Sequence, residues 1–168
     1  MDFVSQRRQT FWVDRVNFAL ESRLSCTRAM RHRDLKITLI EDGPGDADVL
    51  ISLLDKLGYG AIYRHRLHPN SIGAIHIFQP DVVLLCLNEN FDLGLRWIQR
   101  LRQEPKGNAA GPPLIVFSPD ADPAKLCTVA ELDVLGYVIM PPTRQTVEQK
   151  LAQVLRLRDD QNNREVEV

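Results

Sequence analysis

Two short apolar runs constrain the fold of this chain more than any other feature of its 168 residues. DVVLLC (81–86) and PLIVFS (113–118) are apolar between their first and last residues, whereas a strand with one solvent-exposed face would alternate polar and apolar side chains. Such runs are typical of central strands in a parallel sheet that is covered by helices on both faces. A polar loop and then an amphipathic helical pattern follow each run, which predicts a layered α/β domain.

The same strand-then-helix pattern recurs through residues 35–158. Further β-type runs occupy 35–40, 61–67 and 137–140, and helical patterns are predicted over 49–57, 71–78, 92–103 and 120–136. In the last helix the apolar stripe consists of Val147, Leu151, Val154 and Leu155. Because successive parallel strands are joined by right-handed crossovers, five such units predict a doubly wound, five-stranded parallel sheet.

Two segments flank this domain. Residues 1–34 form an extension in which an extra amphipathic helix is predicted. Its apolar face is expected to mediate interactions, above all pairing with a second copy, and comprises Phe11, Trp12, Val16, Phe18, Leu20 and Leu24. Residues 159–168, DDQNNREVEV, are expected to be a frayed polar tail or a linker to an output domain. Met30 is a candidate for an alternative start of the chain, and the sequence leaves this open.

Bulk properties narrow the class of function. The formal net charge of -1 gives no overall attraction to nucleic acid, and no apolar run approaches the roughly 20 residues that cross a bilayer. The mixed charge of the predicted N-terminal helix makes membrane binding an unfavoured alternative. Three widely spaced cysteines suit a reducing compartment, so a cytoplasmic protein is expected.

Ligands of doubly wound sheets bind at the carboxyl ends of the strands, so the residues at those ends are the candidate site. Glu41 and Asp42 follow the first strand, and two neighbouring carboxylates are suited to a hard cation such as Mg²⁺. Cys86 follows the third strand, Ser118 the fourth and Met140 the fifth.

Together these positions resemble the receiver domains of two-component response regulators. The resemblance covers residues 36–157 and is carried by ITLIEDGPGDADVL, PDVVLLCLN, PLIVFSPDAD and GYVIMPP. The intervals from Asp42 to Cys86, Ser118 and Met140 match the receiver pattern without a gap. The resemblance implies a flavodoxin-like sheet with the strand order 2-1-3-4-5.

The resemblance also implies a role for each position. In receivers the acidic pair holds Mg²⁺ and the third strand ends in the aspartate that accepts phosphate, here Cys86. Ser118 matches the hydroxyl residue that bonds the phosphoryl group, and Met140 stands where receivers have a Lys. Tyr137 matches the aromatic switch residue. The bond between Met140 and Pro141 is expected to be cis, as it is before this proline in receivers.

The two replacements decide the expected activity. A thiol beside two carboxylates is disfavoured as a thiolate, Mg²⁺ prefers oxygen to sulfur, and a thioether has no charge to offer a phosphoryl group. We therefore expect a degenerate pseudo-receiver that is not an enzyme, binds Mg²⁺ weakly or not at all and acts through protein–protein contacts or dimerisation.

Two alternatives remain open at this point. A working phosphorelay receiver would use a displaced carboxylate, Glu89 or Asp92, and a thiol redox sensor would use Cys86. Several side chains have simpler interpretations. We expect the Tyr137 hydroxyl to face water, the arginines of 64–66 and 96–102 to be solvated, and the histidines to lack carboxylate partners.

Overall fold

The computed structural model describes residues 34–45, 47–104 and 111–166. The N-terminal residues for which an amphipathic helix is predicted lie outside the described part of the chain. Within it, strands and helices alternate as expected. The strands are β1 (Ile37–Glu41), β2 (Ile62–Arg66), β3 (Val82–Cys86), β4 (Leu114–Ser118) and β5 (Gly136–Ile139).

All neighbouring strands are parallel, and their order across the sheet is β2-β1-β3-β4-β5, which confirms the prediction. Since β1, β3 and β4 lie inside the sheet, every residue of these three strands is buried. The edge strand β2 has exposed and half-buried residues instead. Burial on both faces thus explains the unbroken apolar runs from which the fold was predicted.

Five helices cover the two faces. They are α1 (Asp48–Lys56), α2 (Ser71–Phe78), α3 (Phe91–Gln103), α4 (Pro123–Ala130) and α5 (Arg144–Val166). One core cluster packs β-strand side chains such as Leu39 and Phe117 against α1 and α5, and includes the whole predicted stripe of α5. The other packs residues such as Leu85 and Val116 against α2, α3 and α4. No helix in the described ranges is long and apolar enough to cross a bilayer.

Two helices, α4 and α5, have boundaries that differ from those expected. Helix α4 has Pro123 in its first turn as predicted, but it spans Pro123–Ala130 rather than 120–136, and Asp122 caps its start by accepting a hydrogen bond from the Ala124 N–H. Asp133 then has a φ of 53°, which a right-handed helix cannot contain. Helix α5 runs on to Val166, so residues 159–166 are helical instead of forming a frayed tail.

Candidate functional site

Backbone hydrogen bonds bring the carboxyl ends of four strands together. The Asp42 N–H donates to the Cys86 carbonyl (3.2 Å), the Leu87 N–H to the Phe117 carbonyl (2.8 Å), and the Met140 N–H to the Ser118 carbonyl (2.9 Å). The edge formed by these residues is where an open α/β sheet binds ligands. The bond between Met140 and Pro141 is cis, as predicted.

A pocket of about 210 Å³ opens between the ends of β3, β4 and β5, and we call it the strand-end pocket. Cys86 and Phe117, both almost fully buried, lie among its lining residues. Leu87, Met140 and Pro141 also line it, together with Asn88 and Pro119. None of these described lining residues is charged, so the pocket is mainly apolar at the position where the resemblance implies a phosphorylation site.

Glu41, at the end of β1, forms an ion pair with a side chain of the neighbouring strand. Arg64 of β2 donates two hydrogen bonds to its carboxylate, from Nε at 2.6 Å and from Nη2 at 2.8 Å, and also reaches Asp48 at 2.8 Å. The hydrogen bond to Glu41 raises the pKa of Arg64. The Glu41 side chain is only 4% exposed, and the planar guanidinium of Arg64 gives it a bidentate ionic partner, which compensates for part of the cost of burial.

Asp42 is held by the loop that follows β3. Its Oδ2 accepts hydrogen bonds from three successive backbone N–H groups, those of Asn88, Glu89 and Asn90, each at 2.9 Å. Three N–H groups converging on one oxygen form an anion-binding nest. In this chain the anion in the nest is the Asp42 side chain itself.

Ser118 and Tyr137 both contact the loop between β4 and α4. The Ser118 Oγ is buried and accepts a hydrogen bond from the Asp120 N–H at 3.2 Å. The Tyr137 hydroxyl donates to the Asp120 carbonyl at 2.7 Å. The expectation that this hydroxyl faces water was therefore wrong, and burial raises the pKa of Tyr137. These two side chains fix the loop on the β4–β5 side of the edge.

Lys125 of α4 lies beside the same loop. Its ammonium group pairs with the Asp120 carboxylate and sits 5.0 Å from the centre of the Phe91 ring. The hydrogen bond from Lys125, followed by one from the Asp122 N–H, lowers the pKa of Asp120. Lys125 is therefore paired with Asp120, which is not among the described residues that line the strand-end pocket.

The residues present do not fit the Mg²⁺ ion that the resemblance implies. Both carboxylates of the acidic pair are hydrogen-bonded to Arg64 or to backbone N–H groups, and the third position offers a thiol. Among the described residues, no group of three His, Cys, Asp or Glu side chains is arranged to hold a metal ion.

Of the five residues predicted to surround one pocket, Cys86 and Met140 line it, whereas Glu41, Asp42 and Ser118 are not among its described lining. The sequence interpretation missed Arg64, whose position opposite Leu39 in β1 places it on the same sheet face as Glu41. Arg64 could be recognised as a partner of Glu41 only from the pairing register of β1 and β2.

Three other expectations were also wrong. Arg64 is paired rather than simply solvated, and Arg102 donates to the Pro112 and Asp133 carbonyls at 3.1 and 2.8 Å. His76 has a carboxylate partner, Glu104, with Nε2 and Oε2 3.0 Å apart. These contacts join residues far apart along the chain, and local sequence patterns give no indication of them.

No protein-family model matches the chain, and no curated protein sequence does. The structure, by contrast, matches signal receiver domains of two-component systems. It is similar to the C-terminal region of Escherichia coli RcsC, which contains a linker and a phosphoreceiver domain, with 23% identity and a TM-score of 0.64. That alignment covers 77% of this chain and 49% of the RcsC fragment.

Two shorter structures are matched over nearly their whole length. A CheY-like receiver domain from Methylobacillus flagellatus is 22% identical, with a TM-score of 0.56 over 72% of this chain and 99% of that one. The receiver domain of a modulated diguanylate cyclase from Desulfovibrio desulfuricans G20 is 20% identical, with a TM-score of 0.59 over 76% and 99%. At these identities the likeness establishes the fold.

Proposed function

We propose that this chain is a receiver-type signalling module that works without phosphorylation, is not an enzyme and transmits its signal through protein–protein contacts. The observation that carries the proposal is the state of the acidic pair. Glu41 is bound by Arg64, and Asp42 is bound by three backbone N–H groups. A metal ion at Glu41 would have to compete with the bidentate Arg64, and one at Asp42 would share that carboxylate with three N–H donors.

The two replaced positions support the same conclusion. Nucleophilic attack on phosphorus needs an anion at position 86, and the buried thiol of Cys86 lies at a strand end paired with Glu41. The N–H groups of residues 88–90 would be natural donors to a phosphoryl oxygen, but they already bind Asp42. An incoming phosphoryl group would lack the nucleophile, the metal ion and these donors.

Intact-mass measurement after incubation with acetyl phosphate and Mg²⁺ tests this proposal. We expect no mass increase corresponding to one phosphoryl group, because no anionic acceptor is available at the pocket. The matched control is the double variant Cys86→Asp, Met140→Lys, which restores the two replaced groups, and an active receiver serves as the positive control. A phosphoryl adduct on the unmodified chain, mapped to Glu89 or Asp92, would instead support a phosphorelay receiver with a displaced acceptor.

The redox alternative is tested by thiol alkylation. Cys86 is only 2% exposed, and we expect iodoacetamide to label it far more slowly than the exposed Cys127 in the folded protein at neutral pH. Peptide mapping after timed labelling distinguishes the two cysteines, and the unfolded protein provides the reference rate. Labelling of Cys86 as fast as that of Cys127 would favour the sensor.

Two surfaces are proposed for the protein contacts. One is the face formed by α4, β5 and α5, on which the edge strand exposes Ile139 at 44%. The other is the apolar stripe predicted in the N-terminal extension, for which a two-fold dimer contact is the simplest cover.

Sedimentation velocity separates the two surfaces. We expect the full chain to be dimeric and a variant lacking residues 1–29 to be folded and monomeric. The variant Ile139→Asp in the full chain is the corresponding test of the face formed by α4, β5 and α5. Equal association states before and after the deletion would exclude the extension as the dimer contact.

A further inference from the structure

We propose that the strand-end pocket binds a small, uncharged, mainly apolar molecule of about the size of a substituted benzene ring. The pocket lies at the carboxyl ends of β3, β4 and β5, where ligands of open α/β sheets bind. Its volume of about 210 Å³ exceeds that of the apolar cavity of roughly 150 Å³ which binds benzene in another protein. The space is therefore sufficient for one such ring with a short substituent.

The lining selects against a charged ligand. Phe117, Met140 and Pro141 present apolar surface, and no described residue that lines the pocket is charged. An ion that entered the pocket would lose hydration without gaining an ionic partner from this lining. The nearby acids are already occupied by Arg64 and by the N–H groups of residues 88–90.

The same lining suits an aromatic ring. Cys86 and Met140 bring two polarisable sulfur atoms to the pocket wall, and sulfur makes favourable contacts with ring edges. Asn88 is the uncharged polar residue of the described lining, so one small polar substituent on the ligand is compatible with the pocket. A neutral aromatic molecule with one polar substituent satisfies each part of this lining.

Occupancy of the pocket would also reach the proposed interaction face. Met140 and Pro141 directly follow β5, whose last residue, Ile139, is exposed on that face. The role of the ligand as a signalling input in place of phosphate rests on the proposed function. Binding itself rests only on the shape and chemistry of the pocket.

Benzyl alcohol and benzoate are the probes that test this inference, since they are similar in size and differ in charge. Titration of the full chain, followed by ¹H–¹⁵N NMR, should give saturable shifts at residues 86–88 and 139–140 with a dissociation constant of about 1 mM for benzyl alcohol. Benzoate should bind at least tenfold more weakly. Absence of saturable shifts at these residues would overturn the proposal.

Met140→Lys sharpens the test because it places a cation on the pocket wall. Benzyl alcohol should then bind about tenfold more weakly, and benzoate should become the preferred probe. Leu157→Lys adds the same charge on the exposed side of α5, and should leave both affinities unchanged. Equal effects of the two variants would show that the probes bind elsewhere and would refute the proposal.

A second measurement applies if Met140→Lys does not fold. In a Cys26→Ser, Cys127→Ser background, saturating benzyl alcohol should slow modification of Cys86 by methyl methanethiosulfonate several-fold. An unchanged rate overturns the ligand site. The acetyl phosphate experiment distinguishes the two proposals. Phosphoryl uptake refutes the proposed function. If neither phosphoryl uptake nor benzyl alcohol binding is observed, this inference alone is refuted.

Discussion

On the β1 side of the sheet edge two carboxylates are present and are paired within the chain, whereas on the β3–β5 side a thiol and a thioether stand where the receiver resemblance predicts charged groups. The first side comprises Glu41, Asp42 and their partners, and the second is the strand-end pocket. Burying a charge is costly unless it is paired, so an acid can stay only where the fold supplies a partner. The comparison supports our proposals that the acids contribute to stability and that the strand-end pocket binds a ligand.

The largest effect is expected from removing the cation on the β1 side. Arg64→Met should lower the free energy of unfolding by about 3 kcal/mol, because the buried Glu41 carboxylate would lose its bidentate partner. Urea denaturation measures this, with Arg66→Met on the same strand as the control. Adding Glu41→Gln to Arg64→Met should restore part of the loss. Equal stability of the two arginine variants would mean that the pair is not structural.

A smaller loss is expected when the anion in the loop nest is removed. Asp42→Ala should cost about 2 kcal/mol, because three N–H groups lose a charged acceptor but can turn to water. Amide hydrogen exchange at Asn88, Glu89 and Asn90 should accelerate. Asp42→Asn keeps one acceptor oxygen, so its stability should lie between that of the wild-type protein and that of Asp42→Ala. Asp92→Ala is the control. Unchanged exchange at the three amides would contradict the role assigned to Asp42.

On the pocket side the expected loss is smaller again. Tyr137→Phe should reduce stability by about 1 kcal/mol, the usual net contribution of one hydrogen bond, since the Asp120 carbonyl loses its donor. Tyr63→Phe on the edge strand is the matched control. If the Tyr137 variant is as stable as the wild-type protein, the hydroxyl does not fix the loop between β4 and α4.

The smallest effect is expected at the partly exposed ion pair of Lys125 and Asp120. Lys125→Met should leave stability at neutral pH nearly unchanged but should raise the pKa of Asp120 toward its ordinary value. Because the folded-state pKa of Asp120 is lowered, its contribution is present above a pH of about 3.9 and is lost as the pH falls through the folded-state pKa. NMR titration of the Asp120 carboxyl group, with Lys56→Met as the control, measures the shift. A pKa that does not change would contradict the pairing.

The local patterns of the sequence were sufficient for most of the fold. Unbroken apolar runs predicted the buried strands, and the receiver spacing predicted the strand order and the cis bond before Pro141. Burial on both faces of a parallel sheet leaves a direct trace in composition, which is why these predictions held. The end of α4 was missed because apolar residues such as Val134 and Leu135 continue beyond the helix and contribute to the core.

By itself, the sequence determined which chemical groups stand at the strand ends, and therefore that a thiol and a thioether replace the expected carboxylate and ammonium groups. Only the tertiary structure decided what the retained acids do. Arg64 meets Glu41 through the register of β1 and β2, and the loop after β3 folds its N–H groups onto Asp42. Both contacts join residues more than 20 positions apart along the chain. Such contacts depend on register and loop geometry, which the periodicity of a single segment does not encode.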